Sequence, residues 1–265
     1  MTKYKAVIFD VDGTLLDTRE GIIDAVKHTI NKLNLAPLAD NLLCKFVGPP
    51  IQNSFMLNYG FSSIEAQNAT NVFREYYAKF SLFKAIPYDG IFDIMKELKQ
   101  QGVKIGIATY KRNDYAVDLL KYFGFHKYYD VVCGADDKNV LKKSDIIQNN
   151  LIQLNIQNYA EAVMIGDSEN DATGAEKIGL DFIGVIYGFG FKDESDVKKY
   201  KNTGFAKDVK SLSEILGLSM EPIVANNPEV LAYINYAKNI QLFRDSFNKH
   251  QQGEQNGNTT RPNKH

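Results

Sequence analysis

Cysteine is almost missing from this sequence. The chain has two, Cys44 and Cys133, far apart and in no C-x-x-C pair. That excludes a disulfide framework or a structural zinc site and leaves two reduced thiols. An excess of either charge is missing as well: 31 Lys and Arg stand against 32 Asp and Glu, a formal net charge of -1. There is no basic field to draw nucleic acid. No apolar run is long enough to cross a bilayer, and Met1-Thr2-Lys3 leads straight into the first apolar segment, with no room for a signal peptide. The expectation is a soluble cytoplasmic protein with neither nucleic acid nor membrane as partner. Several catalytic signatures are absent too. The C-x5-R of a cysteine phosphatase fails, because Pro50 and Asn139 stand where the arginine is needed. Gly174 and Gly179 have the first spacing of G-x-x-x-x-G-K-[ST], but Leu180 follows, and no G-x-G-x-x-G opens a helix.

What is present is an ordinary globular composition, 44% hydrophobic over 265 residues, enough for a full core and a second small domain. Short apolar runs at Ala6–Phe9, Val103–Ala108, Val131–Cys133, Ala162–Ile165 and Phe182–Ile186 suit strands buried on both faces. Helical stripes separate the later ones. Ile91, Ile94, Met95 and Leu98 form one, closed by Gly102. Asn113 is positioned to cap a second, carrying Val117, Leu120 and Phe123, and Ser144 a third, carrying Ile147, Leu151 and Leu154. Such alternation implies a parallel sheet with helices on both faces.

Residues 17–85 break the pattern. Ile22, Val26, Ile30 and Leu33 make a helical stripe, and Ser62-Ser63-Ile64-Glu65 reads as a capping box ahead of Val72, Phe73, Tyr76 and Phe80. This is a helical insert between the first and second strands. The core is then residues 1–16 and 86–218. Residues 219–265 form an extension: an amphipathic helix over about 228–248 with Val230, Tyr233, Ala237, Ile240, Phe243 and Phe247 on one stripe, then a polar tail with too little to bury to fold.

Ligands of an open parallel sheet bind outside the carboxyl ends of its strands. In "KAVIFDVDGTLLD" the first strand stops at Asp10 and Asp12. "IGIATYKR" puts Thr109 at the same edge, and "VMIGDSEND" adds Asp167 and Asp171. Lys142 and Lys143 stand just before a helix, within reach of the rim. Clustered carboxylates repel and are costly to bury unpaired. A hard divalent ion with oxygen ligands, Mg2+ above all, resolves this. Cation, lysine and hydroxyl together make a pocket for a dianion such as phosphate. One carboxylate could attack to give an aspartyl-phosphate, and its neighbour could protonate the leaving oxygen and then activate water.

These motifs resemble those of the haloacid dehalogenase-like hydrolases: "DVDGTLLDT" the first, Thr109 the second and "GDSEND" the fourth, over residues 4 to about 218. The resemblance implies a Rossmann-like, doubly wound α/β core with a helical cap inserted after the first strand, Mg2+, and phosphoryl transfer through Asp10. It implies Asp10 as nucleophile and metal ligand, and Asp12 as general acid and base with its carbonyl on the metal. Thr109 and the Tyr110 amide hold phosphate, Asp167 ligates the metal, and Asp171 ligates or supports it. The third motif departs from the usual Lys-Pro: Lys143 is the phosphate-binding lysine, with Lys142 the alternative. Residues 17–85 resemble the small cap of the phosphoglycolate phosphatase-like branch, and "FVGPPIQNSF" its cap loop, which implies Gly48, Pro49 and Gln52 as substrate-reading residues, with a hinge-like turn between cap helices the other reading of Gly48-Pro49-Pro50.

The expected activity is therefore hydrolysis of a small phosphorylated metabolite by a monomer or homodimer. A nucleoside 5′-monophosphatase and a β-phosphoglucomutase-like transferase are the alternatives, and a non-catalytic regulator is disfavoured by four intact acids. Lys111 faces either the cap or solvent. The aromatics Phe73, Tyr76, Tyr77 and Phe80 are read as the cap's own core. His28, His126, His250 and His265 lack ligand spacing and are read as surface residues.

Overall fold

The computed structural model describes residues 1–136 and 140–219. The helix expected near 228–248 and the polar tail lie outside the described residues. Eight strands run in chain order: β1 (Ala6–Phe9), β2 (Leu16–Asp17), β3 (Ile86–Pro87), β4 (Lys104–Arg112), β5 (Val131–Ala135), β6 (Ala162–Gly166), β7 (Asp181–Val185) and β8 (Gly204–Ala206). The α-helices are α1 (Arg19–Lys32), α2 (Asp40–Leu43), α3 (Ile51–Tyr59), α4 (Ser63–Tyr76), α5 (Ile91–Gln100), α6 (Asn113–Tyr122), α7 (Lys143–Gln153), α8 (Glu169–Lys177), α9 (Glu194–Val197) and α10 (Val209–Ile215).

Six strands form one parallel sheet in the order β5-β4-β1-β6-β7-β8. Its two central strands, β1 and β6, are apolar and buried throughout because both faces are covered. In β1, Val7 and Phe9 pack into one apolar cluster with α5, α6 and α10, whereas Ala6 and Ile8 pack into another with α7 and α8. Val163 and Ile165 of β6 repeat the first choice, Ala162 and Met164 the second. This is the period-two alternation of a strand buried between two helical layers. The chain fills β1, β4 and β5 to one side and then returns across β1 to β6. That reversal opens a crevice at the carboxyl ends of β1 and β6, where an open α/β sheet binds its ligand. Asp10 and Asp167 are the residues that follow those two strands.

Between β2 and β3 the described elements are helical. The two short strands pair antiparallel, Leu16 with Pro87 and Asp17 with Ile86, and tie the exit and re-entry of this segment together. Ser62 caps α4 as expected: its hydroxyl accepts from Glu65 N, and Glu65 accepts from Ser62 N at 2.8 Å. After α4 the chain continues as a π-helical turn, Tyr77–Ser81.

Several local expectations are corrected. β4 runs to Arg112, past Ala108, through an irregularity in its pairing with β5. The apolar face of α6 is Tyr115, Ala116, Leu119 and Leu120. Asn113 does not cap that helix, because its side chain accepts from Gly134 N at 2.8 Å instead. Ser144 lies inside α7; the first turn is closed by Asp145, which accepts from Lys142 N at 3.0 Å. β8 and the β2–β3 pair were not foreseen, being too short to show a period. Phe80 is 53% exposed rather than core.

Candidate active site

The turn after β1 sets the geometry. Gly13 takes φ +86°, a region closed to most side chains, and a Cβ there would overlap Asp167 Oδ2. The turn sends the two acids into different surroundings. Asp10 stays at the strand end beside Asp167 and Asp171. The Asp12 carboxylate turns to Thr18, whose hydroxyl donates at 2.5 Å, and to Lys111 Nζ at 3.1 Å.

Asp10, Asp167 and Asp171 are buried, and one carboxylate oxygen from each lies within 4.8 Å of the other two. Lys143, also buried, enters this group from the start of α7. Its Nζ donates to Asp10 Oδ1 at 2.6 Å and stands 2.7 Å from Asp171 Oδ1. Lys142 is exposed, so Lys143 is the one brought to the cluster. Tyr110 helps place it: the Tyr110 hydroxyl accepts from Lys143 N at 2.8 Å. Asp171 is oriented from its other oxygen, which accepts from Ser168 N at 3.1 Å and Ser168 Oγ at 2.6 Å. Asp167 Oδ2 accepts from the backbone amides of Phe189 and Gly190 at 2.6 and 3.1 Å. That loop lies so close that a Cβ on Gly188 would overlap Asp167 Oδ2 and the Gly13 carbonyl oxygen. Thr109 is buried within β4, just past Ala108 where the regular pairing with β5 breaks, and its Oγ1 accepts from Lys111 N at 3.1 Å.

Electrostatics follow from the packing. Burial pushes the Asp10 carboxyl up to about 7; Lys143 opposes this, and Asp171 and Asp12 add to it. Asp167 is raised well above the usual carboxylate range by burial, then by Asp171 and Asp10. Burial alone would lower the Lys143 ammonium, but Asp10 and Asp171 outweigh it and raise it. Three carboxylates against one ammonium leave two negative charges when all are ionised. Buried oxygen ligands with that surplus fit a hard divalent cation. Asp10, Asp167 and Asp171 are the side chains placed to hold one.

Two clefts meet the site. The first is lined by Asp12, Ile22, Phe46, Phe73, Tyr77 and Lys111, among others. The second runs along Asp167, Ser168, Asn170 and Phe189. Gly48 and Pro49 border both. Gln52 lines neither; its amide donates to Ser63 O at 3.2 Å, bridging α3 and α4. Sequence alone left Lys111 between the cap and solvent; the fold turns it to Tyr77 and Asp12. Its side chain is 6% exposed and donates to Tyr77 Oη at 3.0 Å as well as pairing with Asp12. Lys111 follows Thr109 by two along β4, which is the signal that could have marked it.

A family model described as haloacid dehalogenase-like hydrolase matches residues 7–185. The chain is similar to a 5′-nucleotidase of Pseudomonas aeruginosa, 31% identical over 215 residues covering 81% of this chain and 96% of that protein. It is similar to a phosphoglycolate phosphatase of Psychrobacter arcticus, 27% identical over 230 residues covering 83% of this chain and 98% of the other. Among solved structures it resembles a predicted phosphatase from Clostridium acetobutylicum, 36% identical, with a TM-score of 0.75 over 81% of this chain and 99% of that one.

Proposed function

This chain belongs to the haloacid dehalogenase-like hydrolases and is a phosphatase, and from that premise we propose that it is a Mg2+-dependent hydrolase of a small phosphomonoester, phosphoglycolate phosphatase-like, working through an aspartyl-phosphate on Asp10. One observation carries the reading: Asp10 sits at the sheet's switch point with Lys143 at 2.6 Å, while Asp12 is turned to the other side of the turn.

Asp10 is the nucleophile. One of its oxygens forms the bond to phosphorus as the ester oxygen leaves with a proton from Asp12. Asp12 then takes a proton from water as that water's oxygen attacks phosphorus, freeing phosphate and restoring Asp10. Lys143, Thr109 and the Tyr110 amide hold the phosphoryl oxygens. Asp171 keeps Lys143 in place, and the Phe189 and Gly190 amides keep Asp167 in place. Asp10, Asp167, Asp171 and the Asp12 carbonyl are the groups that would hold Mg2+, which would supply charge neutralisation at the transferring phosphoryl group. Residues 17–85 act as a cap over the core of residues 1–16 and 86–218, excluding water and reading the rest of the substrate. The apolar walls Ile22, Phe46 and Phe73 of the first cleft support that role.

A nucleoside 5′-monophosphate is the second reading. It is favoured by the likeness to a 5′-nucleotidase and by the aromatic rings of Tyr77 and Tyr115 in the same cleft. Hydrolysis of p-nitrophenyl phosphate with and without Mg2+, followed by a panel of phosphorylated metabolites, tests the function. Absence of Mg2+-dependent release of phosphate from every ester would end it.

A further inference from the structure

The first cleft is walled by Asp12, Arg74, Tyr77, Tyr110, Lys111 and Arg112, with Asp10, Asp167, Asp171 and Lys143 outside it. In the reading above, Asp12 gives its proton to the departing oxygen. The departing half of the ester must then stand on Asp12's side of the turn, in this cleft. Discrimination between one phosphomonoester and another is made there, because the phosphate subsite treats all monoesters alike.

Lys111 stands at the junction of Asp12 and the cleft. An ammonium has three N–H donors. Asp12 Oδ1 at 3.1 Å and Tyr77 Oη at 3.0 Å account for two. Lys111 is itself part of the cleft wall, so the third donor is the one a ligand in the cleft can reach. The wall carries one carboxylate and three cationic side chains. Its apolar members Ile22, Phe46 and Phe73 lower the local dielectric, which strengthens any ion pair made there. A neutral alcohol gives such an ammonium only a dipole, whereas an anion gives it a charge-assisted hydrogen bond.

We propose that Lys111 anchors the departing half of the substrate, and that the cleft prefers phosphomonoesters whose non-phosphate part carries an anion, a carboxylate or a second phosphate, over those that leave as a neutral alcohol. The inference rests on the phosphatase reading above. Within it, it selects the small acidic ester over the nucleotide.

The test compares 2-phosphoglycolate with 2-hydroxyethyl phosphate, two esters of similar size that differ by one charge. Ethylene glycol bisphosphate and adenosine 5′-monophosphate are added as further arms, with p-nitrophenyl phosphate as the reference. A hydrogen bond to a charged group predicts a kcat/KM for an acidic arm about 10- to 100-fold above the neutral one. Preference for phosphoglycolate identifies a carboxylate as the anion, and preference for ethylene glycol bisphosphate identifies a second phosphate. Lys111→Met lowers all rates, since Asp12 loses its partner, and it also brings the acidic-to-neutral ratio down to about one. Lys111→Arg keeps the preference. A ratio unchanged in Lys111→Met would show that Lys111 acts only through Asp12 and would overturn the proposal. So would a wild-type enzyme that takes 2-hydroxyethyl phosphate or the nucleotide as readily as the acidic esters, a result that needs no variant to fold. Failure of the underlying reading is recognised separately, because p-nitrophenyl phosphate would then not be hydrolysed either.

Discussion

The Lys143 ammonium lies 2.6 Å from Asp10 Oδ1, and both side chains are buried. Breaking a buried pair leaves an uncompensated charge, at a cost on the order of 3–5 kcal/mol. Lys143→Met is therefore expected to lower the melting temperature in metal-free buffer and to remove phosphatase activity. Lys142→Met is expected to change stability by no more than about 0.5 kcal/mol, because Lys142 is exposed and away from the cluster. Thermal unfolding and kcat/KM of the two variants check this, and equal effects would count against Lys143 as the phosphate-binding lysine.

Asp10 gives the metal response a pH dependence. Its carboxyl is raised to about 7 in the folded chain, whereas an unfolded aspartate titrates near about 4. Between those values the folded state binds more protons, so this group's contribution to stability falls as pH rises from about 4 to about 7. Divalent cation binding to the ionised carboxylates offsets that loss. The rise in melting temperature on adding Mg2+ is expected to be small at pH 5 and to grow up to pH 8. A rise that is the same at both ends would contradict the assignment of Asp10 as a ligand.

Gly188 is expected to tolerate no side chain. A methyl there overlaps Asp167 Oδ2 and the Gly13 carbonyl oxygen, so the loop whose Phe189 and Gly190 amides hold Asp167 must move. Outer partners of a metal ligand are worth about 10- to 100-fold in affinity. Gly188→Ala is expected to weaken Mg2+ binding by about that factor, read by calorimetric titration alongside activity. Unchanged affinity would mean that the amides do not orient Asp167.

Asp12→Asn is expected to lower kcat by about 10^2- to 10^4-fold, the usual range for general acid and base work. An ester with a good leaving group needs less protonation, so p-nitrophenyl phosphate should suffer less than an alkyl phosphate. Equal losses on the two esters would argue that Asp12 does not deliver the proton.

Much of this was legible in the sequence, for identifiable reasons. Asp10 and Asp167 each follow an apolar run that could only be an interior strand, and β1 and β6 turned out to be neighbours at the switch point. The helical segment after β1 was legible from its stripes and from the Ser62–Glu65 capping box. Lys142 and Lys143 could not be separated with certainty, because which lysine is buried depends on how α7 starts, and Ser144 suggested the wrong cap. Lys111 was ambiguous because a lysine near a strand end is usually solvated; its burial depends on Tyr77, 34 positions away in the chain. Gln52 was read from its loop as a contact to substrate, and in the fold its amide donates to Ser63 O of the next helix. β8 has three residues and carries no period to detect.

The most direct measurement of the account is the fate of the phosphoryl group on Asp10. Wild-type protein mixed with substrate and Mg2+, quenched in acid within milliseconds and digested, is expected to carry one phosphoryl group on the peptide that contains Asp10. The same peptide from Asp10→Asn is expected to carry none, and that variant is expected to release no phosphate. A phosphorylated peptide elsewhere in the chain, or substantial turnover by Asp10→Asn, would contradict the aspartyl-phosphate mechanism.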